Sequence, residues 1–180
     1  MRITVLLGSW CAVLGGCTST DRGMRLEGAG VRFGSDDEII NGIVDSWHAA
    51  AATGDADVYF GLMTETAVFL GTDATERWPA DEFRAFAEPY FDGVEAWTYT
   101  PRQRWIEVAP GGDVAWFDEL LWNDKYGTSR GAGMVVRDGD GLGWKIAAYS
   151  LSFPIPNDLA GRMTSEIKAY EAEEVSGEDG

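Results

Sequence analysis

Two hydrophobic periods divide this chain. Up to about residue 91 the apolar positions recur at helical spacing, and from Trp97 onward they alternate. Ser35 followed by Glu38 is a capping-box pattern, and Ile39, Ile40, Ile43, Val44, Trp47 and Ala51 after it predict a helix that Gly54 ends. Asp55 can cap a second, short helix carrying Val58, Tyr59, Phe60 and Met63, and residues 66–70 form a short strand candidate. A loop over 71–78 leads to Pro79, which suits the first turn of a third helix, with Phe83, Phe86, Ala87, Tyr90 and Phe91 on one face. Strands are predicted over 97–108, 113–123, 129–137 and 144–153, separated by turn signals rich in Gly, Asn and Asp. Such short links make neighbouring strands antiparallel. Pro154 and Pro156 stop the last strand, and Asn157 or Asp158 caps a C-terminal helix with Leu159, Met163, Ile167 and Tyr170 on one side. From Glu171 the tail is acidic and expected to fray. The plan is α+β: three N-terminal helices on a strongly curved antiparallel sheet, plus a C-terminal helix.

The first residues carry a different signal. Arg2 is a short positive region, residues 3–14 form an apolar run too short to span a bilayer, and the run ends in Leu14-Gly15-Gly16-Cys17. That tetrapeptide resembles a bacterial lipobox, in which the Cys thiolate takes up the lipid and becomes the new N-terminus. The expected organisation is a signal peptide over 1–16, lipidated Cys17 and a tether over 17–35, a folded domain over 36–158, and a helix with acidic tail over 159–180. The two cysteines of the chain are Cys11 and Cys17; cleavage before Cys17 leaves one, whose thiol lipidation consumes, so the mature chain is expected to contain no intramolecular disulfide. The expected location is the bacterial cell envelope, anchored to the membrane through lipidated Cys17 with the domain outside the cytoplasm.

Composition narrows the partners. Thirty acidic against fourteen basic residues give a net charge of −16, which argues against nucleic acid because no basic stripe displaces counterions from phosphate. Eight Trp among 180 residues are too many to bury completely with ease, so some are expected to line a cavity or an interface.

Catalytic motifs are few. His48 is the only histidine, so paired-His metal sites are excluded, and there is no GxSxG elbow or phosphate loop; Gly131-Ala132-Gly133 reads as strand. No cofactor is expected. His48 lies beside the apolar stripe of the first helix, as a packed boundary residue or as a general base reaching a pocket mouth. Asp118 and Glu119 sit mid-strand among Trp116, Phe117, Leu120, Leu121 and Trp122, and alternation sends them to opposite faces. A carboxylate on a covered face is either raised in pKa for acid–base work or paired with Arg102, Arg104 or Arg130. Asp118 is the candidate catalytic residue. Asp73 and Glu76 lie in the loop before Trp78, where they rim a pocket or are simply solvated. Phe69, Trp78, Tyr90, Tyr99 and Trp116 are the candidate ligand-pocket residues, with Tyr149 a further aromatic that could face it.

Several stretches carry a family resemblance: Trp47-His48-Ala49-Ala50, then 67–73 (AVFLGTD) with Glu76-Arg77-Trp78, then 115–119 (AWFDE), and Trp144-Lys145-Ile146-Ala147. In these the chain resembles the SnoaL-like branch of the nuclear transport factor 2-like superfamily. The resemblance implies a cone-shaped domain whose sheet curls around a pocket and often dimerises through its sheet. Relatives include isomerases, cyclases and dehydratases. Ketosteroid isomerases of this superfamily carry an acid on the strand after the second helix, where this chain has Val68-Phe69-Leu70-Gly71. Their second acid falls where this chain has Gly133-Met134-Val135-Val136, so neither is present.

Three functional readings follow: a pocket that binds a small apolar or aromatic ligand, an acid–base isomerase, cyclase or dehydratase using Asp118, and a dimerising interaction module. The leader yields a test of its own. Cys17→Ser is expected to release the protein into the soluble extracytoplasmic fraction. Retention on membranes, or a mature N-terminus other than residue 17, would overturn the lipid anchor.

Overall fold

The computed structural model describes residues 35–91, 96–139 and 143–178; Cys17 and the rest of the leader lie outside the described residues. Helix α1, Asp36–Thr53, opens on the capping box: Ser35 Oγ accepts from the Glu38 backbone N–H while Glu38 accepts from that of Ser35. It closes on Gly54 in the left-handed conformation, φ 66°, as the sequence predicts. Asp55 caps α2, Ala56–Gly61, by accepting from the Val58 amide. Strand β1 spans Met63–Leu70, followed by β2, Arg77–Pro79, and α3, Ala80–Ala87.

A six-stranded sheet runs in the order β2-β1-β6-β5-β4-β3. Its long strands are β3 (Thr100–Val108), β4 (Val114–Asn123), β5 (Gly127–Arg137) and β6 (Trp144–Ser152), an antiparallel meander that closes on β1 through a parallel β1–β6 pair. The register shifts within β1, at Arg102 of β3 and at Ala147 of β6. Each added residue bends and twists the sheet, which is how it curls over the helices. The core lies in that hollow: Ile40, Val44, Trp47 and Ala51 of α1, one stripe of the helix, meet Ala67, Phe117, Val135, Ile146 and Tyr149 of the sheet.

Three local expectations change. Strand β2 is new: it is a three-residue edge strand, too short to show a period, and its Pro79 suits an edge because no ladder donor is needed there. The third helix stops at Ala87 and a 3-10 turn, Glu88–Tyr90, replaces its last turn, because Pro89 has no N–H to continue the ladder. Phe83, Ala87 and Phe91 are buried, whereas Phe86 and Tyr90 are 45% and 53% exposed. The acidic tail does not fray at Glu171; α4 runs Asn157–Glu178, through a segment of good helix formers.

Helix α4 leaves Leu159, Ile167 and Tyr170 exposed, and its described residues are at most half-buried throughout. No described helix is long and apolar enough to cross a membrane. Because α4 buries little, removing residues 159–180 should shift the melting temperature by less than about 5 °C, roughly 1–2 kcal/mol at this size. A larger loss in thermal unfolding would place part of the core under α4.

Candidate functional site

The sheet brings one carboxylate into the interior, and it is Glu119. Strand β4 alternates with Ala115, Phe117, Glu119 and Leu121 buried on the inner face. Glu119 is 0% exposed. Its Oε1 accepts from His48 Nε2 at 2.7 Å and from the Tyr149 hydroxyl at 2.9 Å. Its Oε2 accepts from Arg104 Nε at 2.9 Å and lies 2.8 Å from Arg104 Nη2. Arg104 in turn reaches α1 through Nη1, to the Asn41 side chain at 3.0 Å and to Asp45 Oδ1 at 2.8 Å. Asn41, Asp45 and His48 recur at helical spacing, forming a polar stripe beside the apolar one.

Burial pushes the Glu119 carboxyl up, but the hydrogen bond and electrostatic pull of His48, with those of Arg104, outweigh it and hold the carboxyl below its ordinary range. An ionised carboxylate only accepts, so His48 Nε2 carries a proton toward it. Tyr149 is pushed well above its ordinary value, by burial first and then by the neighbouring Glu119 charge. The chemistry is therefore that of a clamp. Three hydrogen bonds and the close Arg104 ion pair engage both oxygens of Glu119, so it is poorly placed to take a substrate proton, and Tyr149 holds its proton too firmly to give it up near neutral pH.

The glycines of β5 make room for this group. A Cβ on Gly131 would collide with the Tyr149 hydroxyl and stand 2.9 Å from Glu119 Oε1.

Asp118 takes the other side of β4. It is half-buried on the outer face, opposite Trp105 of β3 and Ala132 of β5, and the clamp contains none of its atoms. Trp116 shares that outer face, 53% exposed and opposite Met134.

The remaining pocket candidates converge near the 71–76 loop. A cavity of about 230 Å³ is lined by Phe69 of β1, Phe83 and Phe86 of α3, and Trp97 and Tyr99 ahead of β3. Tyr126, Leu151 and Phe153 complete its apolar wall, and Gly71, Thr72 and Glu76 form its polar edge. Phe69 and Tyr99 are thus brought together. Trp78 is placed behind the wall, stacked on Phe86 with ring centres 5.0 Å apart. Tyr90 belongs to an adjoining hollow that shares Phe86, Trp97 and Tyr126 with the cavity. Burial raises the Tyr99 hydroxyl above its ordinary pKa, with Tyr126 adding to the effect.

The loop itself is tightly closed. Gly71 donates to the Glu76 carbonyl at 2.9 Å, Asp73 Oδ1 accepts from the Thr75 amide at 2.8 Å, and Glu76 Oε2 accepts from the Asp73 amide at 3.1 Å. The Thr75 hydroxyl, which donates to Asp73 Oδ1 at 2.6 Å, and then the Thr75 amide lower the Asp73 pKa. Among the described residues no cluster of three or more His, Cys, Asp and Glu is placed to hold a metal.

The family model of the SnoaL-like domain matches residues 40–156, the helices and sheet that carry both sites. The chain belongs to the SnoaL-like domain family. Solved structures agree on the fold. An NTF2-like protein of unknown function from Pseudomonas putida is 16% identical, with 68% of this chain and 91% of that chain covered and a TM-score of 0.55. A domain of unknown function with a cystatin-like fold from Nostoc punctiforme is 15% identical, with coverage of 79% and 95% and a TM-score of 0.60. A candidate ketosteroid isomerase from Parabacteroides distasonis is 14% identical, with coverage of 68% and 90% and a TM-score of 0.54. No curated protein matches the chain.

Sequence reasoning singled out the pair Asp118 and Glu119 and put a buried carboxylate with Arg104 among its alternatives. It did not join His48 and Tyr149 to that group. The available signal was the Asn41, Asp45, His48 spacing on α1, which puts three polar side chains beside a buried stripe.

Removing the charge of Glu119 leaves the buried Arg104 with only the exposed Asp45 carboxylate as its ionic partner, so Glu119→Gln should lose stability at neutral pH, toward the lower end of about 3–5 kcal/mol. The folded pKa of Glu119 is below its unfolded value of about 4.3, so its contribution is complete above that value and is lost as pH falls through the folded pKa. Denaturant unfolding of wild type and Glu119→Gln should therefore differ strongly at pH 7, and the gap should shrink as pH falls through the folded pKa, below about 4.3. A pH-independent gap would show that the charge is not what stabilises.

Proposed function

We propose that the protein is a lipid-anchored, extracytoplasmic SnoaL-like domain that binds a small apolar or aromatic molecule in the cavity between β1, α3 and the segment before β3, without acid–base catalysis. One observation carries this reading: the cavity is walled by aromatic rings, while the buried carboxylate is already engaged by three protein donors and the Arg104 ion pair. Concave, mostly apolar surfaces with a few polar groups are the usual form of a ligand site. At about 230 Å³ the cavity is below the roughly 300–1,000 Å³ of drug-sized pockets, which favours a ligand of one ring. The acid–base alternative would need Asp118 to reach a ligand, and Asp118 belongs to the outer face. The anchor rests on Leu14-Gly15-Gly16-Cys17 at the end of an apolar leader.

Calorimetric titration of the purified protein with single-ring compounds such as toluene, phenol and indole should give saturable one-to-one binding. Leu151→Trp places an indole into the cavity and should abolish that binding with the fold retained by thermal unfolding. Absence of binding in the wild type, or undiminished binding in a folded Leu151→Trp protein, would overturn the pocket reading.

A further inference from the structure

The polar edge of the cavity has one sign. Of the described residues that line it, Glu76 is the only one with a charged side chain, and no described Lys or Arg takes part. Glu76 is half-buried, and its Oε2 is fixed by the Asp73 amide at 3.1 Å, which leaves Oε1 without a hydrogen-bond partner among the described residues. The same cavity is lined by the rings of Phe83, Phe86, Trp97, Tyr99 and Tyr126. Aromatic rings carry negative charge on their faces, so a wall of them attracts a poorly hydrated cation, and a carboxylate at the rim adds to that attraction. The wall already holds one such contact: Lys125 Nζ lies 4.7 Å from the centre of the Tyr126 ring. Lys125 lines the adjoining hollow rather than this cavity, whose charged side chain among the described lining residues is that of Glu76. The net charge of −16 would also draw cations toward the surface.

We infer that the cavity is selective for a cationic ligand, a substituted ammonium joined to a single ring or a short apolar body, with Glu76 and the face of Phe86 as the selecting groups. The inference rests on the pocket reading above and adds the chemical class of its ligand. It requires no covalent step: the ligand leaves water for an aromatic box and keeps its charge beside a carboxylate.

Two probes of equal shape separate charge from bulk. Benzyltrimethylammonium and its neutral carbon isostere, neopentylbenzene, would be titrated into the purified full-length protein by calorimetry. The expected result is at least a tenfold preference for the ammonium. Glu76→Gln keeps an acceptor for the Asp73 amide, so the loop stays closed, and it should remove most of that preference without weakening the neutral compound. Phe86→Leu is a second variant at a 45% exposed position, where the fold tolerates change; it keeps apolar bulk and removes the ring face, and it should lower ammonium affinity severalfold more than that of the isostere. Equal binding of the two probes would overturn the cation inference and leave the pocket reading standing. Binding of neither would overturn both. A full preference retained in both folded variants would overturn the assignment of Glu76 and Phe86.

Discussion

A carboxylate with no exposure cannot be left to find its own partners, and Glu119 is the constraint around which this domain is arranged. Its charge would cost several kcal/mol unpaired in the interior, so Arg104, His48 and Tyr149 must arrive together. They come from β3, α1 and β6, and Arg104 also holds Asn41 and Asp45 of α1. The apolar stripe of α1 repeats along the helix, so a slip of one turn, about 5.4 Å, would still bury hydrocarbon. The same slip would carry His48 and Asp45 away from their partners. A well-packed hydrophobic replacement of a buried ion pair is often neutral or better, so the group is understood best as fixing where α1 docks rather than as adding net stability.

The clamp and the cavity are neighbours through aromatic packing. The Tyr149 ring, whose hydroxyl is held by Glu119, meets Trp47 edge-on at 4.6 Å and lies nearly parallel to Phe69 at 6.0 Å. Phe69 stacks on Phe83 at 4.1 Å and 4°, and both rings line the cavity. The hollow of the curved sheet is therefore filled from α1 outward, and the open space remains at its edge, between α3 and the 71–76 loop. A protein that spends its buried acid on docking a helix, and fills the space beside it with rings, has separated its buried carboxylate from its open aromatic cavity. That separation is the physical reason for favouring recognition over proton transfer.

Much of the fold was legible because local signals agreed with tertiary needs. Ser35, Glu38, Gly54 and Asp55 punctuate the first two helices where the periodicity places them, and the meander follows from alternation between turn signals. β2 was not legible, since three residues show no period, and the parallel β1–β6 pairing joins segments too distant for any local pattern. At the candidate site, alternation separates Asp118 from Glu119 but is symmetric between faces. Which face is covered depends on the direction in which the sheet curls, set by bulges at Arg102 and Ala147 and by α1 lying in the hollow. The aromatics show the same limit: Phe69 and Trp116 look alike in sequence, yet one lines the cavity and the other lies open on the outer face.

The glycines of β5 connect these levels. Gly131 and Gly133 alternate onto the inner face, Gly131 opposite Glu119 and Gly133 opposite both Phe117 and Tyr149. In a strand interior glycine forfeits packing and conformational entropy, so two of them mark a place where something must approach the backbone. Here the approaching groups are the clamp and its aromatic support: a Cβ at Gly131 would displace the Tyr149 hydroxyl, and one at Gly133 would lie 2.6 Å from Phe117 Cζ. Neighbouring strands are only about 4.8 Å apart, too close for three bulky side chains abreast on a concave face. Large side chains on β4 and β6 consequently require their absence on β5 between them. The buried acid, the ring beneath the cavity and the bare stretch of strand are one packing solution, and none of the three can change in size without the others.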